Sequence, residues 1–281
     1  MRIDSHQHFW KASRGDYHWM SPSVPILCRD YLPDDLRPIL ARTAVEKTVL
    51  VQAAQTTAET DFLLELAESH AFIAGVVGWL DMESPDFPRQ FDRYRANPRF
   101  IGLRPMLQDI EDDRWILRSR VIDALRLVAK SDFPFEFLTY TRHLTHVLEA
   151  LELAPGLRAV IDHVSKPEIK TKNMETWKTL VSQVARHENV FCKLSGMVTE
   201  ADHENWTIDD LRPYVNHVVA AFGWDRVMFG SDWPVCRLAA EYEDVLDALK
   251  TILADRLNED LERKVFGGNA ARFYKIKGGA S

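Results

Sequence analysis

The hexapeptide Phe-Gly-Ser-Asp-Trp-Pro at residues 229–234 decides the fold. It ends a short apolar run at 226–229, and Asp232 stands where the chain leaves this predicted strand. An aspartate there is commonly only a turn former or a helix cap. However, residues 1–8, Met-Arg-Ile-Asp-Ser-His-Gln-His, have the same form and end in His6 and His8. Residues at i and i+2 of a strand point to the same side, so both stretches would become neighbours if the chain closed into a barrel.

Between these two stretches the chain repeats a pattern rather than a sequence. Short β-type runs alternate with amphipathic segments at 59–70, 87–96, 119–131, 141–153, 174–187, 208–222 and 240–255. Strands alternating with helices indicate a parallel sheet with helical crossovers. We count eight runs, at 2–5, 47–52, 73–79, 101–104, 134–138, 159–162, 190–194 and 226–229. The sequence therefore predicts an α/β fold of the (β/α)8 TIM-barrel type.

The alternative fold is an open, doubly wound sheet, which usually has about five or six strands. The first predicted strand is followed by neither a GxGxxG nor a GxxxxGKS motif, so nothing supports nucleotide binding. A length of 281 residues with no Pro/Gly/Ser-rich linker predicts one barrel domain over residues 1–281.

Composition excludes several classes of function. A net charge of −7 argues against a nucleic-acid partner, because such proteins usually carry a basic face. No apolar run approaches the ~20 residues of a membrane span, and the first residues lack the apolar part of a signal peptide. Three cysteines without a CxxC pair fit a reducing compartment, so we expect a cytoplasmic protein. A homo-oligomer is compatible with these features.

Two segments depart from the repeat. Residues 9–38 form a long connection after the first strand, and long loops in compact domains are usually functional. We expect it to fold over the mouth of the barrel and to carry Trp10, His18, Trp19 and Tyr31 toward it. At the other end, Asn258 is the predicted N-cap of a helix that runs to about Phe266, and residues 277–281 are a predicted frayed tail.

Active sites of such barrels lie at the C-terminal ends of the strands. Reading the residue at the end of each run gives a set of chemically useful side chains: His6, His8, Gln52, Trp79, Asp81, Arg104, Glu136 or Tyr140, His163, Lys193, Ser195 and Asp232. Three imidazoles, a carboxylate and an arginine would then face the same cavity at the top of the barrel.

Each of these residues also has a purely structural interpretation. A single histidine at a strand end is commonly a hydrogen-bonded structural residue, and Asp162 beside His163 could form a salt bridge. Arg104 and Lys193 could likewise be structural ion-pair partners. The functional interpretation therefore depends on their shared position, not on any one residue.

With these residues in place, the chain resembles the amidohydrolase superfamily, and within it the branch of sugar lactonases and pyrone-dicarboxylate lactonases. The similarity lies in Asp-Ser-His-Gln-His at 4–8, Asp162-His163, Gly-Ser-Asp-Trp-Pro at 230–234 and Asn-Ala-Ala-Arg-Phe-Tyr at 269–274. It covers nearly the whole chain. Further segments at 30–33 and 193–201 resemble lactonases of L-fuconolactone or similar aldonolactones, small-molecule substrates of sugar catabolism.

This resemblance implies a hydrolase that opens a sugar-acid lactone by water attack on the carbonyl. Asp232 would be the general base, and His6, His8 and His163 would hold the carbonyl oxygen. Substrate contacts would come from side chains around the ring: Arg104, Trp79, Tyr140, Lys193 and Trp10.

The resemblance leaves the cofactor open. The family's binuclear centres need further ligands, which Glu136 on the fifth run and Lys193 on the seventh do not supply. One zinc ion could be held by His6, His8 and Asp232, but the lactonase branch includes members that need no metal. The remaining alternatives are a metal-dependent amidohydrolase or decarboxylase, a pyrone-dicarboxylate lactonase, and a non-enzymatic sugar-binding barrel.

Overall fold

The computed structural model describes residues 1–277, so the predicted tail at 277–281 lies outside it apart from Lys277. Eight parallel strands follow one another around a single sheet in the order of the sequence. They are β1 (Ile3–Gln7), β2 (Lys47–Val51), β3 (Ile73–Gly78), β4 (Phe100–Leu103), β5 (Phe135–Phe137), β6 (Ala159–Ile161), β7 (Val190–Leu194) and β8 (Val227–Phe229). The predicted (β/α)8 barrel is confirmed.

Helices cover the outside of the sheet. They are α1 (Pro33–Thr43), α2 (Thr57–Ser69), α3 (Phe87–Arg95), α4 (Ser119–Lys130), α5 (Leu144–Leu153), α6 (Glu175–Val184), α7 (Met197–Glu200), α8 (Ile208–Phe222), α9 (Tyr242–Leu253), α10 (Glu259–Arg263) and α11 (Asn269–Tyr274). None of the helices within residues 1–277 has the length and apolar character that crossing a bilayer requires.

The first and last strands meet through the stretches that the sequence singled out. The backbone N–H of Asp232 donates to the carbonyl of His6 at 2.8 Å, and the N–H of His8 donates to the carbonyl of Trp233 at 2.7 Å. Asp4 accepts hydrogen bonds from the backbone N–H of Ser231 at 2.9 Å and from its hydroxyl at 2.6 Å. These contacts nearly close the barrel and fix the two ends of the chain in register.

Side chains alternate between two apolar layers, as expected for strands buried on both faces. Inward-facing Val49, Val77, Val160 and Met228 form a small inner cluster, which helix α11 closes from below. The outward-facing residues of the same strands pack against the helices in the larger core. The apolar inner cluster excludes water from the lower barrel, so polar residues inside the barrel lie above it.

The long connection after β1 is shorter than predicted. Helix α1 already begins at Pro33, so the last six residues of the predicted connection at 9–38 are helical. Pro38 lies inside this helix, and the sequence pattern does not indicate a helix there because proline is usually a helix breaker. The Asp35 carboxylate accepts the N–H of Leu32 at 2.8 Å and thereby caps the helix start.

The C-terminal cap forms as expected. The Asn258 side chain accepts the N–H of Leu261 at 2.9 Å and begins α10. This helix ends at Arg263, earlier than the predicted end near residue 266, and an irregular turn over Lys264–Gly268 leads into α11.

Candidate active site

His6 in β1 and His8, the first residue after this strand, point into the barrel and are buried. Their Nε2 atoms lie 3.2 Å apart. Nδ1 of His8 lies 2.8 Å from the carbonyl oxygen of Val51 and must donate to it, because a carbonyl only accepts. A neutral His8 ring therefore presents a lone pair at Nε2. Burial, followed by the charge of Lys193, lowers the pKa of His6 well below its ordinary value, so this ring is neutral.

Asp232 lies three residues beyond the end of β8, in the left-handed backbone region at φ 59°. Its Oδ1 is 3.3 Å from Nε2 of His8 and 3.8 Å from Nε2 of both His6 and His163. Burial alone would raise the pKa of this carboxyl, but the imidazoles of His163, His8 and His6 hold it below its ordinary value. The carboxylate is therefore ionised and lies among three imidazoles.

His163 opens a left-handed turn of four residues, with φ of 50°, 48°, 62° and 45° at His163, Val164, Ser165 and Lys166. Left-handed backbone costs roughly 1–2 kcal/mol per non-glycine residue. Specific bonds hold the turn: the indole of Trp177 donates to the carbonyl of Val164 at 2.6 Å, and Lys166 N–H donates to the carbonyl of His163 at 2.8 Å. The turn brings both His163 and Lys166 to the same cavity.

Below the histidines lies a fully buried ion network. Nζ of Lys193 is 2.7 Å from Oε2 of Glu136 and 3.1 Å from Oδ1 of Asp162, and Arg104 is 3.1 Å from Oδ2 of Asp162. The hydroxyl of Tyr274 on α11 bonds to Glu136 from below. Burial and the charge of Asp162 raise the pKa of Glu136 to about 7. Burial would also raise the pKa of Asp162, but Lys193, His6 and Arg104 hold it well below its ordinary value.

Above these groups a cavity of about 370 Å³ opens at the C-terminal end of the strands. Its polar lining consists of His8, Arg104, Gln108, Asp109, Tyr140, His163, Lys166 and Asp232. Its apolar lining consists of Trp10, Trp19, Val24, Leu27, Ala53, Met106, Leu138, Val235 and Leu238. The volume suits a small monocyclic ligand.

The structure brings together most of the predicted site residues. His8, Trp10, Arg104, Tyr140, His163 and Asp232 line the cavity. His6 and Lys193 are fully buried beneath it. Trp79 is not among the lining residues; its backbone carbonyl accepts a hydrogen bond from Thr60 at 3.0 Å.

The long loop after β1 supplies two of the four side chains that we expected at the mouth of the barrel. Trp10 and Trp19 line the cavity, and the indole of Trp19 donates to the carbonyl of Ala53 at 2.8 Å. Tyr31 is buried behind them against Trp10 and Trp233, and His18 is exposed. The loop therefore supplies an aromatic wall.

Sequence reasoning missed Gln108, Asp109 and Lys166. The first two lie on a short turn, five and six residues beyond the end of β4, farther from a strand end than the predicted site residues. Oε1 of Gln108 is a buried acceptor without a protein partner among the described residues. Lys166 could have been found only by knowing that the chain turns left-handed after His163, and His-Val-Ser-Lys contains no glycine or asparagine to signal it.

The spacing of the polar groups resembles a metal site, but their hydrogen bonds do not fit one. Ligand atoms of His6, His8 and Asp232 lie within 4.8 Å of one another, as do those of His6, Asp162 and His163. However, Nζ of Lys193 lies 3.0 Å from Nδ1 of His6, and NH1 of Arg104 lies 3.4 Å from Nε2 of the same ring. Two cations therefore flank the shared ligand, and they oppose the binding of a third cation.

Comparison with known proteins agrees with this architecture. The family model described as "Amidohydrolase" matches residues 3–276. The chain is 42% identical to an L-fucono-1,5-lactonase of Burkholderia ambifaria, over 98% of this chain and 96% of that protein. It is 37% identical to an L-fucono-1,5-lactonase of Burkholderia multivorans, with the same coverage.

A solved amidohydrolase of Burkholderia multivorans with bound zinc is 35% identical and superposes with a TM-score of 0.94, over 98% of this chain and 99% of that one. The matches in sequence and in fold cover nearly the whole chain. The chain therefore belongs to the amidohydrolase family.

Proposed function

We propose that this protein is a sugar-acid lactonase that hydrolyses L-fucono-1,5-lactone or a closely similar aldonolactone to the free acid, without a required metal ion. The observation that carries the proposal is the ionised Asp232 at the cavity floor, in contact with the imidazole of His8. The similarity to two L-fucono-1,5-lactonases over nearly the full chain supports the substrate class.

The reaction needs an activated water, and the Asp232 carboxylate can hold one beside His8. Oδ1 of Asp232 lies 3.3 Å from Nε2 of His8, and both residues line the cavity, so a water there can donate a hydrogen bond to the carboxylate. Its oxygen lone pair then faces the lactone carbonyl carbon. As the new C–O bond forms, the carboxylate takes one proton from the water.

The negative charge that develops on the carbonyl oxygen needs donors. His6 and His163 flank the same point from β1 and from the left-handed turn, with both Nε2 atoms 3.8 Å from Oδ1 of Asp232. Arg104 adds a positive charge at the cavity wall. Fixed donors in a buried site stabilise an oxyanion strongly.

Ring opening then breaks the bond between the carbonyl carbon and the ring oxygen. Protonated Asp232 returns its proton to the leaving alkoxide, and the hydroxy acid is released. A lactone is an activated ester, so this route needs no covalent nucleophile. Trp10 and Tyr140 would pack against the ring, whereas Lys193 acts from below the cavity and Trp79 lies outside its lining.

The charges of the cavity favour a neutral ring over a dicarboxylate. The lining holds two permanent cations, Arg104 and Lys166, and two carboxylates, Asp109 and Asp232. A dicarboxylate would call for an excess of arginine, because bidentate pairs suit carboxylates.

The test is the hydrolysis of a lactone panel followed with a pH indicator: L-fucono-, L-galactono-, D-arabinono- and L-rhamnonolactone, and 2-pyrone-4,6-dicarboxylate. We expect fast turnover of at least one aldonolactone and none of the pyrone. Turnover of the pyrone alone, or of no lactone, would refute the proposal.

A further inference from the structure

Lys193 is a buried charged residue that the proposed reaction does not use directly. It is fully inaccessible to solvent and lies beneath His6, away from the cavity lining. Its Nζ lies 3.0 Å from Nδ1 of His6 and 2.7 Å from Oε2 of Glu136, both with hydrogen-bond geometry. Burying a lysine costs free energy of folding unless the charge is paired and hydrogen-bonded. The burial of Lys193 therefore indicates a specific role.

The contact with His6 has only one possible direction. The lysine ammonium is a donor without an acceptor, so Nδ1 of His6 must offer its lone pair. A neutral imidazole carries one proton. That proton must therefore be on Nε2, the nitrogen that faces His8 and Asp232.

The opposite end of the ring leads independently to the same tautomer. Nε2 of His6 lies 3.2 Å from Nε2 of His8, and one of these two nitrogens must donate. His8 donates Nδ1–H to the carbonyl of Val51, which leaves its Nε2 as the acceptor of this pair. The hydrogen bonds thus run in one direction, from Lys193 through His6 and His8 to Val51.

Two longer contacts favour the other tautomer. NH1 of Arg104 lies 3.4 Å from Nε2 of His6, but it already donates to Asp162 at 3.1 Å. Nδ1 of His6 lies 3.5 Å from Oδ1 of Asp162, and this oxygen has no aligned hydrogen-bond donor. Both contacts are longer than those made with Lys193 and His8, so the tautomer protonated at Nε2 is preferred.

We propose that Lys193 is a positioning residue that holds the proton of His6 on Nε2, so that this N–H can leave His8 and donate to the lactone carbonyl oxygen when the substrate binds. The donor role rests on the proposed function, whereas the tautomer does not. Without the lysine, Nδ1–H would turn to Asp162, and Nε2 would present a lone pair that suits a metal ion instead. Lys193 thus selects between two chemistries at the same histidine.

The direct test is two-bond ¹H–¹⁵N correlation spectroscopy of the protein labelled at histidine, in chelator, with His6 assigned by its absence in His6→Asn. We expect the wild-type ring to be neutral and protonated at Nε2. A wild-type His6 protonated at Nδ1 would overturn the proposal whatever the variants show.

A pair of variants tests whether Lys193 determines the tautomer of His6. Lys193→Met alone leaves Glu136 without its cation, whereas Asp162 keeps Arg104. The matched variant is therefore Lys193→Met/Glu136→Gln, which removes one charge of each sign. The control, Glu136→Gln, keeps the lysine. We expect the His6 proton on Nδ1 in the double variant and on Nε2 in the control; the same tautomer in both would overturn the assignment to Lys193.

Zinc affinity and kinetics give two further readouts. Competition with a chelating dye should show zinc bound about 10-fold or more tightly by the double variant than by the control. The kcat on the lactone should be about 10²-fold lower than in the control, the usual effect of losing one oxyanion donor, with a smaller change in KM. Equal zinc affinity in both variants would contradict the proposal. Absence of lactone turnover in wild type would refute the proposed function and leave the spectroscopic result standing.

Discussion

Burial of His163 should make the protein lose stability as the pH falls below about 6.5. The ring is nearly inaccessible, and burial lowers its pKa from 6.5 to about 4, although Asp232 and Asp162 oppose this shift. Above pH 6.5 the ring is neutral in the folded and the unfolded states, so it adds no pH dependence. Between these two pKa values the unfolded chain binds a proton that the folded protein does not. The free energy of unfolding therefore falls as the pH falls.

The magnitude follows from the size of the shift. One proton gives a slope of at most about 1.4 kcal/mol per pH unit. The shift from 6.5 to about 4 then corresponds to about 3 kcal/mol in total. This loss is large relative to the 5–15 kcal/mol that typically separates folded from unfolded domains.

The assay is urea unfolding between pH 4.5 and 7.5 in the presence of a chelator, with fluorescence and circular dichroism as two probes. His163→Asn suits the left-handed backbone at φ 50°, which asparagine tolerates. The smaller side chain will lower absolute stability, so only the slopes are compared. We expect the variant to lose about 2 kcal/mol less than wild type between pH 6.5 and 4.5, because this window contains only part of the full shift.

The control is His203→Asn, because His203 is an exposed histidine outside the cavity lining. Its unfolding should follow the wild-type pH dependence. If His163→Asn also follows the wild-type curve, His163 is charged in the folded protein, and the electrostatic description of the site is wrong.

Two further predictions concern the cavity. Gln108→Met removes the unpartnered acceptor Oε1 but keeps the side-chain volume, so KM should rise about 10-fold with kcat nearly unchanged; an unchanged KM would show that Gln108 does not contact the substrate. Gly196→Ala adds a Cβ that would lie 2.5 Å from Nδ1 of His163, at a φ of 60°, so His163 must move. We expect a loss of kcat of about 10²-fold, since small displacements of catalytic groups are that costly; wild-type kinetics with a folded variant would contradict the role of His163.

The fold was predictable because its determinants are local. Apolar runs of β-type residues recur with helical segments between them, and this pattern alone predicts a parallel barrel. The contacts between residues 4–8 and 229–234 also followed from sequence, because a barrel must bring its first and last strands together. Helix α1 was missed since Pro33 and Pro38 obscure it.

The site was predictable where a residue lies close to a strand end. His6, His8, His163 and Asp232 all lie within three residues of one, and the structure places them together. The position of Lys166 depends on a left-handed turn, which a buried hydrogen bond from Trp177 holds in place. No local sequence pattern predicts such a turn. Long-range packing, rather than residue type, decides these positions.

Lys193 is a further case in which residue type and strand position do not determine the role of a side chain. Its residue type and strand position suggested a substrate contact. The side chain instead points below His6, because the carboxylates of Glu136 and Asp162 lie in the barrel at the same depth. Only the three-dimensional network distinguishes a ligand contact from an internal cation.

The most direct test of metal-free general-base catalysis by Asp232 is the kcat of metal-stripped wild type and Asp232→Asn on L-fucono-1,5-lactone, each with and without chelator. We expect the wild-type rate to be unaffected by the chelator and the variant to lose at least ~10²-fold in kcat. A wild-type rate that vanishes with the chelator and returns with zinc, or an Asp232→Asn rate near wild type, would contradict the account.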